Sequence, residues 1–303
     1  MSRIDEALKR AREQAADGAE SAGSGVFQDA WDVGAEARPE PGSDLEPLPS
    51  PEPVGPGESA PAASSLAVFH SFDPQLAEKI VATSGMRPGF VEQYRKLAGV
   101  LHHAQLSKNL KTVLVTSAMA GEGKTLTATN LALTLSESYR RSVLLIDADL
   151  RRPTLHETFQ VPNVSGLGDG LRSEAEQKLS LVQVSPRLTL LTAGRPDPDP
   201  ISGLTSERMR RVLEEAATRF DWVIIDTPPV ALLPDARLLA AMTDATLLVV
   251  RAAKTQYPVI RRTVEAIGRQ RIFGVVLNRA EDGLAASGHG YYSYYDSYPQ
   301  AAK

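Results

Sequence analysis

The sequence predicts an α/β fold built on a doubly wound, mostly parallel sheet with helices on both faces. Apolar runs at 112–117, 143–147 and 223–226 are typical of strands that are covered on both sides, as inner strands of a parallel sheet are. Helix-forming segments separate the runs along the chain, which favours crossover connections between parallel strands. A Gly-rich turn after the first run lies where the strand ends of such a sheet open onto a crevice.

The other elements of this fold follow from apolar periodicity. Helices are predicted at 90–107, near 169–171, and at 206–219, 235–241 and 258–271. Further strands are predicted at 188–192, 245–251 and 273–278. Together they complete the alternation of strands and helices.

The N-terminal part of the chain is predicted to lie outside the sheet. Residues 1–16 favour a short amphipathic helix, either solvated or docked on a partner or a membrane surface. Residues 17–65 are rich in Pro, Gly, Ser and acidic side chains, so burial cannot offset their ordering entropy, and we expect a disordered linker. The folded domain is expected at 66–280, followed by a flexible tyrosine-rich tail at 281–303.

The turn at 117–125 ends in Gly-Lys-Thr between a β-branched run and a helix-forming segment. Glycines let the backbone approach a ligand, and the helix that follows presents its positive dipole end. We expect Lys124 to reach the β- and γ-phosphate oxygens of a nucleotide and Thr125 to ligate Mg²⁺. The predicted nucleotide contacts are Ala120, Gly121, Glu122, Gly123, Lys124, Thr125 and Leu126. An ordinary turn with a chance lysine is the alternative.

Three carboxylates follow two of the apolar runs. Asp147 and Asp149 end the second run, and Asp226 ends the third. A carboxylate at the end of a buried strand is costly unless a positive charge meets it, and Mg²⁺-ATP supplies that charge. One such Asp alone is explained by a helix cap. Three of them with Gly-Lys-Thr predict a site in which Lys124 acts with all three, and Asp147 and Asp226 hold the waters of Mg²⁺.

Composition excludes several classes of protein. The 303 residues, 42% of them hydrophobic, are enough for one substantial core. A net charge of −4 gives no sign of a nucleic-acid surface, and without cysteine there is no disulfide framework. No apolar run approaches the ~20 residues that cross a bilayer, and the N-terminus lacks a signal-peptide core. We therefore expect a cytoplasmic protein that reaches a membrane only through a partner.

These motifs resemble those of the bacterial tyrosine autokinases (BY-kinases) of exopolysaccharide synthesis. The resemblance covers roughly 90–298. The family's Ser-x-x-Pro-Gly-Glu-Gly-Lys-Thr loop matches 117–125 with Ala120 in place of Pro, its Asp-x-Asp-x-Arg motif matches 147–151, and its Asp-x-Pro-Pro motif matches 226–229. The family also carries a tyrosine-rich C-terminus. Its members are P-loop NTPases, so the resemblance implies that fold.

The resemblance implies an ATP- and Mg²⁺-dependent protein-tyrosine kinase that transfers the γ-phosphoryl group to its own tail, between subunits of a homo-oligomer. The implied acceptors are Tyr291, Tyr292, Tyr294, Tyr295 and Tyr298. A low-complexity tail without this role is the alternative. Asp149 is implied to accept or orient the tyrosine proton. Arg151 and Arg152 either neutralise phosphate or bind the tail, or form ordinary ion pairs.

Two further positions carry implied roles. In relatives with this architecture an Asn at the end of the last strand contacts the base, which makes Asn278 a candidate, with a plain strand-end turn as the alternative. The family's Glu-x-x-Arg-x-x-Arg helix contributes to the subunit interface. Glu92 and Arg95 match it, whereas the third position is Ala98. An i,i+3 ion pair without that role is the alternative.

The resemblance also implies partners and a process. The partners are a membrane polysaccharide co-polymerase or chain-length determinant protein as activator, and a tyrosine phosphatase. The process is capsule or exopolysaccharide synthesis and export, at the inner membrane through the activator. Residues 1–16 resemble the leader of autokinases associated with exosortase systems.

Two other functions remain open at this point. A partitioning or cell-division switch ATPase of the ParA/MinD type shares the architecture. However, it carries a signature lysine five residues before the phosphate-binding one, where this chain has Met119. A catalytically silent module that binds nucleotide and signals by assembly is the second. The complete set of Lys124 with three aspartates argues against it.

Overall fold

The computed structural model describes residues 28–29, 69, 71–83, 85–173 and 179–280. The predicted N-terminal helix at 1–16 and the predicted tail at 281–303 lie outside the described residues.

The described residues form one sheet of eight strands. In chain order these are β1 (Gln28–Asp29), β2 (Thr112–Ser117), β3 (Val143–Asp147), β4 (Leu181–Ser185), β5 (Leu188–Leu191), β6 (Trp222–Asp226), β7 (Ala245–Arg251) and β8 (Ile272–Asn278). Their order across the sheet is β1-β4-β5-β3-β6-β2-β7-β8. From β5 to β8 all neighbours are parallel, and only the β1–β4 and β4–β5 pairs are antiparallel. The predicted mostly parallel α/β sheet is confirmed.

Helices connect the strands. They are α1 (Pro88–Lys108), α2 (Lys124–Glu137), α3 (Leu155–Thr158), α4 (Leu167–Arg172), α5 (Ile201–Leu204), α6 (Glu207–Arg219), α7 (Asp235–Ala240) and α8 (Tyr257–Ile267), with 3-10 turns at Pro74–Lys79 and Arg269–Arg271. None of the described helices is long and apolar enough to cross a membrane.

The sheet is covered on both faces. Along β2, Val113 and Val115 pack into one core with α1 and α2, whereas Leu114 between them packs into a second core with α6 and α7. This alternation explains why the run at 112–117 is continuously apolar, since side chains of both parities are buried. The two cores fix β2, β3 and β6 side by side, and their carboxyl ends lie at one edge.

Most predicted elements are found within one or two residues of their predicted ends. The helix predicted at 258–271 is shorter, because Gly268 has φ of +94° and α8 stops at Ile267. The antiparallel strand β4 was not predicted. It forms an antiparallel hairpin with β5. Its apolar run is short, and in the sequence it is not distinguished from a loop that leads into β5. Within the predicted linker, Gln28–Asp29 pair with β4, and the rest of that segment lies outside the described residues.

A segment before α1 packs against the helix that follows the Gly-rich loop. Asn130 of α2 is fully buried, accepts a hydrogen bond from Val81 N (3.0 Å) and donates one to the Lys79 carbonyl (2.7 Å). Phe72 packs on Phe159, with ring centroids 5.3 Å apart. These contacts hold the 3-10 turn at Pro74–Lys79 beside the edge where the parallel strands end.

Candidate functional site

The Gly-rich loop joins β2 directly to α2. Gly121 and Gly123 have φ of +76° and +94°, in the left-handed region that favours glycine. At Gly123 a Cβ atom would stand 2.1 Å from Asn278 Nδ2, so a side chain has no room there. Lys124 is the first residue of α2, and the helix dipole therefore points its positive end into the loop.

The Lys124 ammonium is held between carboxylates from the two neighbouring strands. Its Nζ lies 3.0 Å from Asp149 Oδ2 and 3.8 Å from Asp226 Oδ1. The side chain of Lys124 is 13% exposed, and those of Asp149 and Asp226 are 7% and 0% exposed. The cation is thus recessed and partly neutralised, and further anionic groups that enter beside it find the ammonium already oriented.

Thr125 is bonded to the same acid. Its Oγ1 donates to Asp226 Oδ2 at 2.6 Å. The other oxygen, Asp226 Oδ1, is buried and has no hydrogen-bond partner, and it lies 3.8 Å from the Lys124 ammonium. A buried, unbonded carboxylate oxygen beside a threonine hydroxyl suits a hard cation, which prefers oxygen ligands.

Asp147 lies beside Asp226, since the two residues are partners in the β3–β6 register. Its carboxylate accepts hydrogen bonds from three backbone N–H groups, those of Asp149 (3.2 Å), Thr154 (3.1 Å) and Leu155 (3.0 Å). Asp147 therefore pins the chain that follows β3, and it holds Asp149 in place.

Burial controls the ionisation of these acids. It raises the pKa of Asp147 to about 8, and the neighbouring Asp226 carboxylate adds to the rise. Burial also raises the pKa of Asp226, against the opposing effect of Lys124. At Lys124 burial lowers the pKa, but Asp226 and Asp149 outweigh it and the net direction is upward. The lysine stays protonated, and added positive charge favours the ionised carboxylates.

The raised pKa of Asp147 predicts how its stability contribution depends on pH. The folded-state pKa of about 8 lies above the ordinary value of 3.8, so the wild type loses stability as pH rises from about 4 through 8. Asp147→Asn lacks this loss. The melting temperature of Asp147→Asn minus that of the wild type is expected to increase by ~2 °C or more between about pH 5 and pH 8.5. Thermal melts without nucleotide at several pH values measure this difference. Asp199→Asn, a substitution of the same kind at an exposed position, is the control. A difference that stays constant or falls contradicts it.

Glu122 has a role that the sequence did not reveal. The residue is 3% exposed, and its side chain turns into the protein. Oε2 accepts from Met119 N at 2.7 Å, and Oε1 accepts from Arg251 N and the Thr255 hydroxyl. Its carbonyl accepts from Asn278 Nδ2 at 2.8 Å. The side chain of Glu122 thus ties the loop to the end of β7, and its carbonyl ties the loop to the end of β8. A nucleotide contact at Glu122 stays a prediction for its backbone alone.

Removing this carboxylate is expected to loosen the loop. Glu122→Ala leaves the Met119 and Arg251 amides without their acceptor, and nucleotide affinity should fall about tenfold. Glu122→Gln keeps one acceptor oxygen, so its nucleotide affinity should lie between those of Glu122→Ala and the wild type. Titration with a fluorescent nucleotide measures the dissociation constants, and Glu214→Ala on the exposed face of α6 is the matched control. Equal affinity of Glu122→Ala and Glu214→Ala would refute the role.

Three other predicted residues lie at or near the site. Asn278 holds the loop through Glu122, and its Oδ1 accepts from Arg279 N, so its amide is engaged with backbone rather than turned into the cavity. Arg151 forms an ion pair, which was one of the two roles considered for it, and its Nε lies 2.8 Å from Asp235 Oδ2. Arg152 is exposed at the cavity.

Glu92 and Arg95 lie away from the site, on α1. They form an exposed i,i+3 ion pair at 3.4 Å. This arrangement was the alternative to an interface role, which stays a prediction.

A cavity of about 730 Å³ opens over the loop. Its lining combines loop residues, the acids and the flanking segments. The loop contributes Ala120, Gly121, Gly123, Lys124, Thr125 and Leu126. Asp149 and several residues of the segment from there to Thr158, the 3-10 turn before α1, the segment after β6 and Arg279 complete it. The volume lies within the range typical of small-molecule sites.

The residues present fit a magnesium ion that is shared with phosphates. No group of three or more His, Cys, Asp or Glu side chains in the described part of the chain has the geometry to hold a metal ion. Mg²⁺, however, usually keeps several waters and takes only one or two protein oxygens together with phosphates. Thr125 Oγ1 and the unbonded Asp226 Oδ1 are such oxygens.

The fold and site together define a nucleotide-binding protein of the P-loop class. The family described as CobQ/CobB/MinD/ParA nucleotide binding domain matches residues 113–289. Among curated proteins, the tyrosine-protein kinase YwqD of Bacillus subtilis is 36% identical over 225 residues, covering 73% of this chain and 92% of that protein. The putative tyrosine-protein kinase CapB of Staphylococcus aureus is 28% identical, covering 67% of this chain and 89% of that protein.

Solved structures agree with these relatives. The kinase domain of the Escherichia coli tyrosine kinase ETK aligns with a TM-score of 0.57 and 32% identity, covering 62% of this chain and 74% of that chain. The chimerical protein CapA2B2 aligns with a TM-score of 0.58 and 28% identity, covering 67% and 89%. The chain belongs to the CobQ/CobB/MinD/ParA nucleotide-binding family and, within it, to the bacterial tyrosine kinases (BY-kinases).

Proposed function

We propose that the chain is an ATP-dependent protein-tyrosine autokinase whose acceptors are the tyrosines of its own C-terminal tail. One observation carries the proposal: at the head of the glycine loop, Lys124 Nζ lies 3.0 Å from Asp149 and 3.8 Å from Asp226. A phosphate-binding cation thus lies directly beside an acid that is available to a hydroxyl group. The kinase names of the relatives support the same reaction.

In the proposed reaction, tyrosine Oη attacks the γ-phosphorus of ATP and forms the new P–O bond. The bond from the γ-phosphorus to the bridging oxygen breaks, and ADP leaves. The transition state is loose, so positioning and charge neutralisation dominate. Lys124 and the loop amides stabilise the β/γ oxygens. Since a free tyrosine has a pKa of about 10, its hydroxyl enters neutral, and Asp149 orients it and accepts the proton.

We assign the predicted metal site to Thr125 and Asp226, with Asp147 acting through water because its oxygens already accept three backbone N–H groups. Mg²⁺ bound there supplies positive charge to the β- and γ-phosphates. The buried acids favour such an ion, since burial raises the pKa of both Asp147 and Asp226 and a nearby cation favours their ionised forms.

Transfer between subunits is part of the proposal. The ten residues 281–290 span up to ~35 Å when extended, which lets the tyrosines after them reach a neighbouring copy. Each phosphate adds about −1.5 to −2 charges, and several on one tail repel neighbouring tails and loosen the homo-oligomer. We place this cycle in capsule or exopolysaccharide synthesis and export, with a membrane co-polymerase or chain-length determinant protein as activator and a tyrosine phosphatase as its opponent.

Purified protein incubated with γ-labelled ATP and Mg²⁺ tests the proposal against the ParA/MinD-type switch. A kinase retains label covalently on 281–303, and a variant with all five tail tyrosines changed to Phe loses most of it. A switch ATPase releases labelled phosphate and retains none. If the variant with five Phe substitutions keeps all of the label, the protein is a kinase but the tail is not its acceptor. A nucleotide-binding module without catalysis gives neither label nor free phosphate.

A further inference from the structure

An apolar lip borders the cavity that Lys124 and Asp149 also line. It consists of Leu232 and Leu233, which follow β6. Leu232 is 60% exposed, whereas Asp149 is 5% exposed. Leu232 and Leu233 line the same cavity as Asp149. The site thus has a recessed polar base and an exposed apolar rim on one side.

The lip is held in place by the ends of the strands. Val230 N donates to the Ser117 carbonyl at 2.9 Å, and Ala231 N donates to the Ala118 carbonyl at 3.2 Å. The Val230 side chain is buried. Pro229 precedes the lip and Pro234 follows it, and both restrict the backbone further. Leu232 is therefore exposed on a fixed segment, where it is available to an apolar group that enters the cavity.

We propose that this lip is the acceptor subsite and that it contacts the ring of a tyrosine from the 281–303 tail of a second copy of the chain. The inference rests on the proposed kinase function. A tyrosine has an apolar ring and a polar tip, which matches an apolar rim beside a recessed carboxylate. With its ring on Leu232, the phenolic hydroxyl extends toward Asp149. The shorter side chains of Ser and Thr lack both the ring and the reach, so the lip selects tyrosine.

Two observations favour the tail as the occupant. Arg279 lines the cavity, and the tail begins two residues later, so the tail leaves the domain at the edge of a cavity of this kind. The tail also carries five tyrosines within the eight residues 291–298. The nucleotide base is the competing occupant, and the two differ in what a lip substitution weakens.

The test uses two full-length chains in a mixture. The acceptor chain carries Lys124→Met and its native tail. The donor chain carries Phe at all five tail tyrosines, so that label on the acceptor tail reports transfer between copies. Initial rates against acceptor concentration give the acceptor KM for the parent donor and for donors with Leu232→Ser, Leu232→Phe or Leu106→Ser. Leu106 is 74% exposed near the end of α1 and is the matched control. Nucleotide dissociation constants are measured for each donor.

Leu232→Ser is expected to raise the acceptor KM about tenfold, with the nucleotide dissociation constant within about twofold of the parent. Leu232→Phe restores an apolar contact and should return the acceptor KM to near the parent value. If the acceptor KM of Leu232→Ser equals that of Leu106→Ser, the proposed acceptor subsite is wrong. If Leu232→Ser weakens nucleotide binding to the same extent, the lip contacts the nucleotide base instead. If wild type labels its own tail but the mixture shows no transfer, the second copy is wrong. If wild type shows no tail label, the proposed function itself fails.

Discussion

Lys124→Met is expected to reduce tail phosphorylation by about a thousandfold. The ammonium is the recessed cation of the cavity, and Asp149 and Asp226 hold it at the head of the loop. A methionine of similar length keeps the packing but removes the charge that stabilises the β/γ oxygens. It also leaves Asp149 and Asp226 without their common counter-ion, so nucleotide affinity should fall as well. Initial rates of label incorporation and nucleotide titration measure the two effects.

The control for this substitution is Lys108→Met in the last turn of α1, where the lysine is exposed and distant from the loop. It removes the same charge and should keep wild-type activity. Circular dichroism and thermal melts show whether Lys124→Met remains folded. A folded Lys124→Met protein that keeps more than about a tenth of wild-type activity would contradict the role of the ammonium.

Asp226→Asn is expected to lower the rate by two orders of magnitude or more and to raise the Mg²⁺ concentration needed for half-maximal activity. The carboxylate receives the Thr125 hydroxyl at 2.6 Å and presents its unbonded Oδ1 beside Lys124. An amide removes the negative charge while preserving the shape. Since burial raises the pKa of Asp226, the neutral side chain is tolerated by the fold, and we expect little loss of thermal stability without nucleotide.

Titration of activity against Mg²⁺ at saturating ATP separates the metal effect from binding of the nucleotide. Exposed Asp199→Asn should match wild type throughout. A Mg²⁺ requirement unchanged in Asp226→Asn, with only the maximal rate reduced, would show that Asp226 acts on Lys124 alone and would remove it from the metal site.

The part of the site that the sequence predicted depends on order along the chain. Asp147 and Asp226 each end an apolar run, and parallel strands bring their carboxyl ends to one edge. The β3–β6 register then places the two residues side by side. The glycines and Lys124 are fixed by the local turn from strand to helix, which the residue pattern specifies.

Long-range side-chain partners could not be predicted in this way. Glu122 was predicted only as a nucleotide contact. Its burial follows from the arrival of Arg251 at the end of β7 and of Thr255 just after it, about 130 residues later in the chain. Asn278 was a candidate for contact with the base, with a strand-end turn as the alternative, and base contact stays a prediction. The bond from its amide to the Glu122 carbonyl was not predicted. The Arg151–Asp235 ion pair depends in the same way on the packing of α7.

Strand β4 illustrates the same limit for the fold. The sequence of its five residues does not distinguish a strand from a loop. They form a strand because they pair with β5 as an antiparallel hairpin. Strands outside the parallel part of the sheet depend on such partners more than the buried central strands do, which is why β2, β3 and β6 were predicted with nearly their final bounds.

Phosphosite mapping by mass spectrometry, on wild type and Lys124→Met after incubation with Mg²⁺-ATP, tests the central claim most directly. We expect phosphate on one or more of the five tail tyrosines in wild type and none in the variant, with ADP formed in proportion to the phosphate transferred. A wild-type tail that stays unmodified while ADP accumulates would contradict the account, and so would a tail that is phosphorylated equally in both proteins.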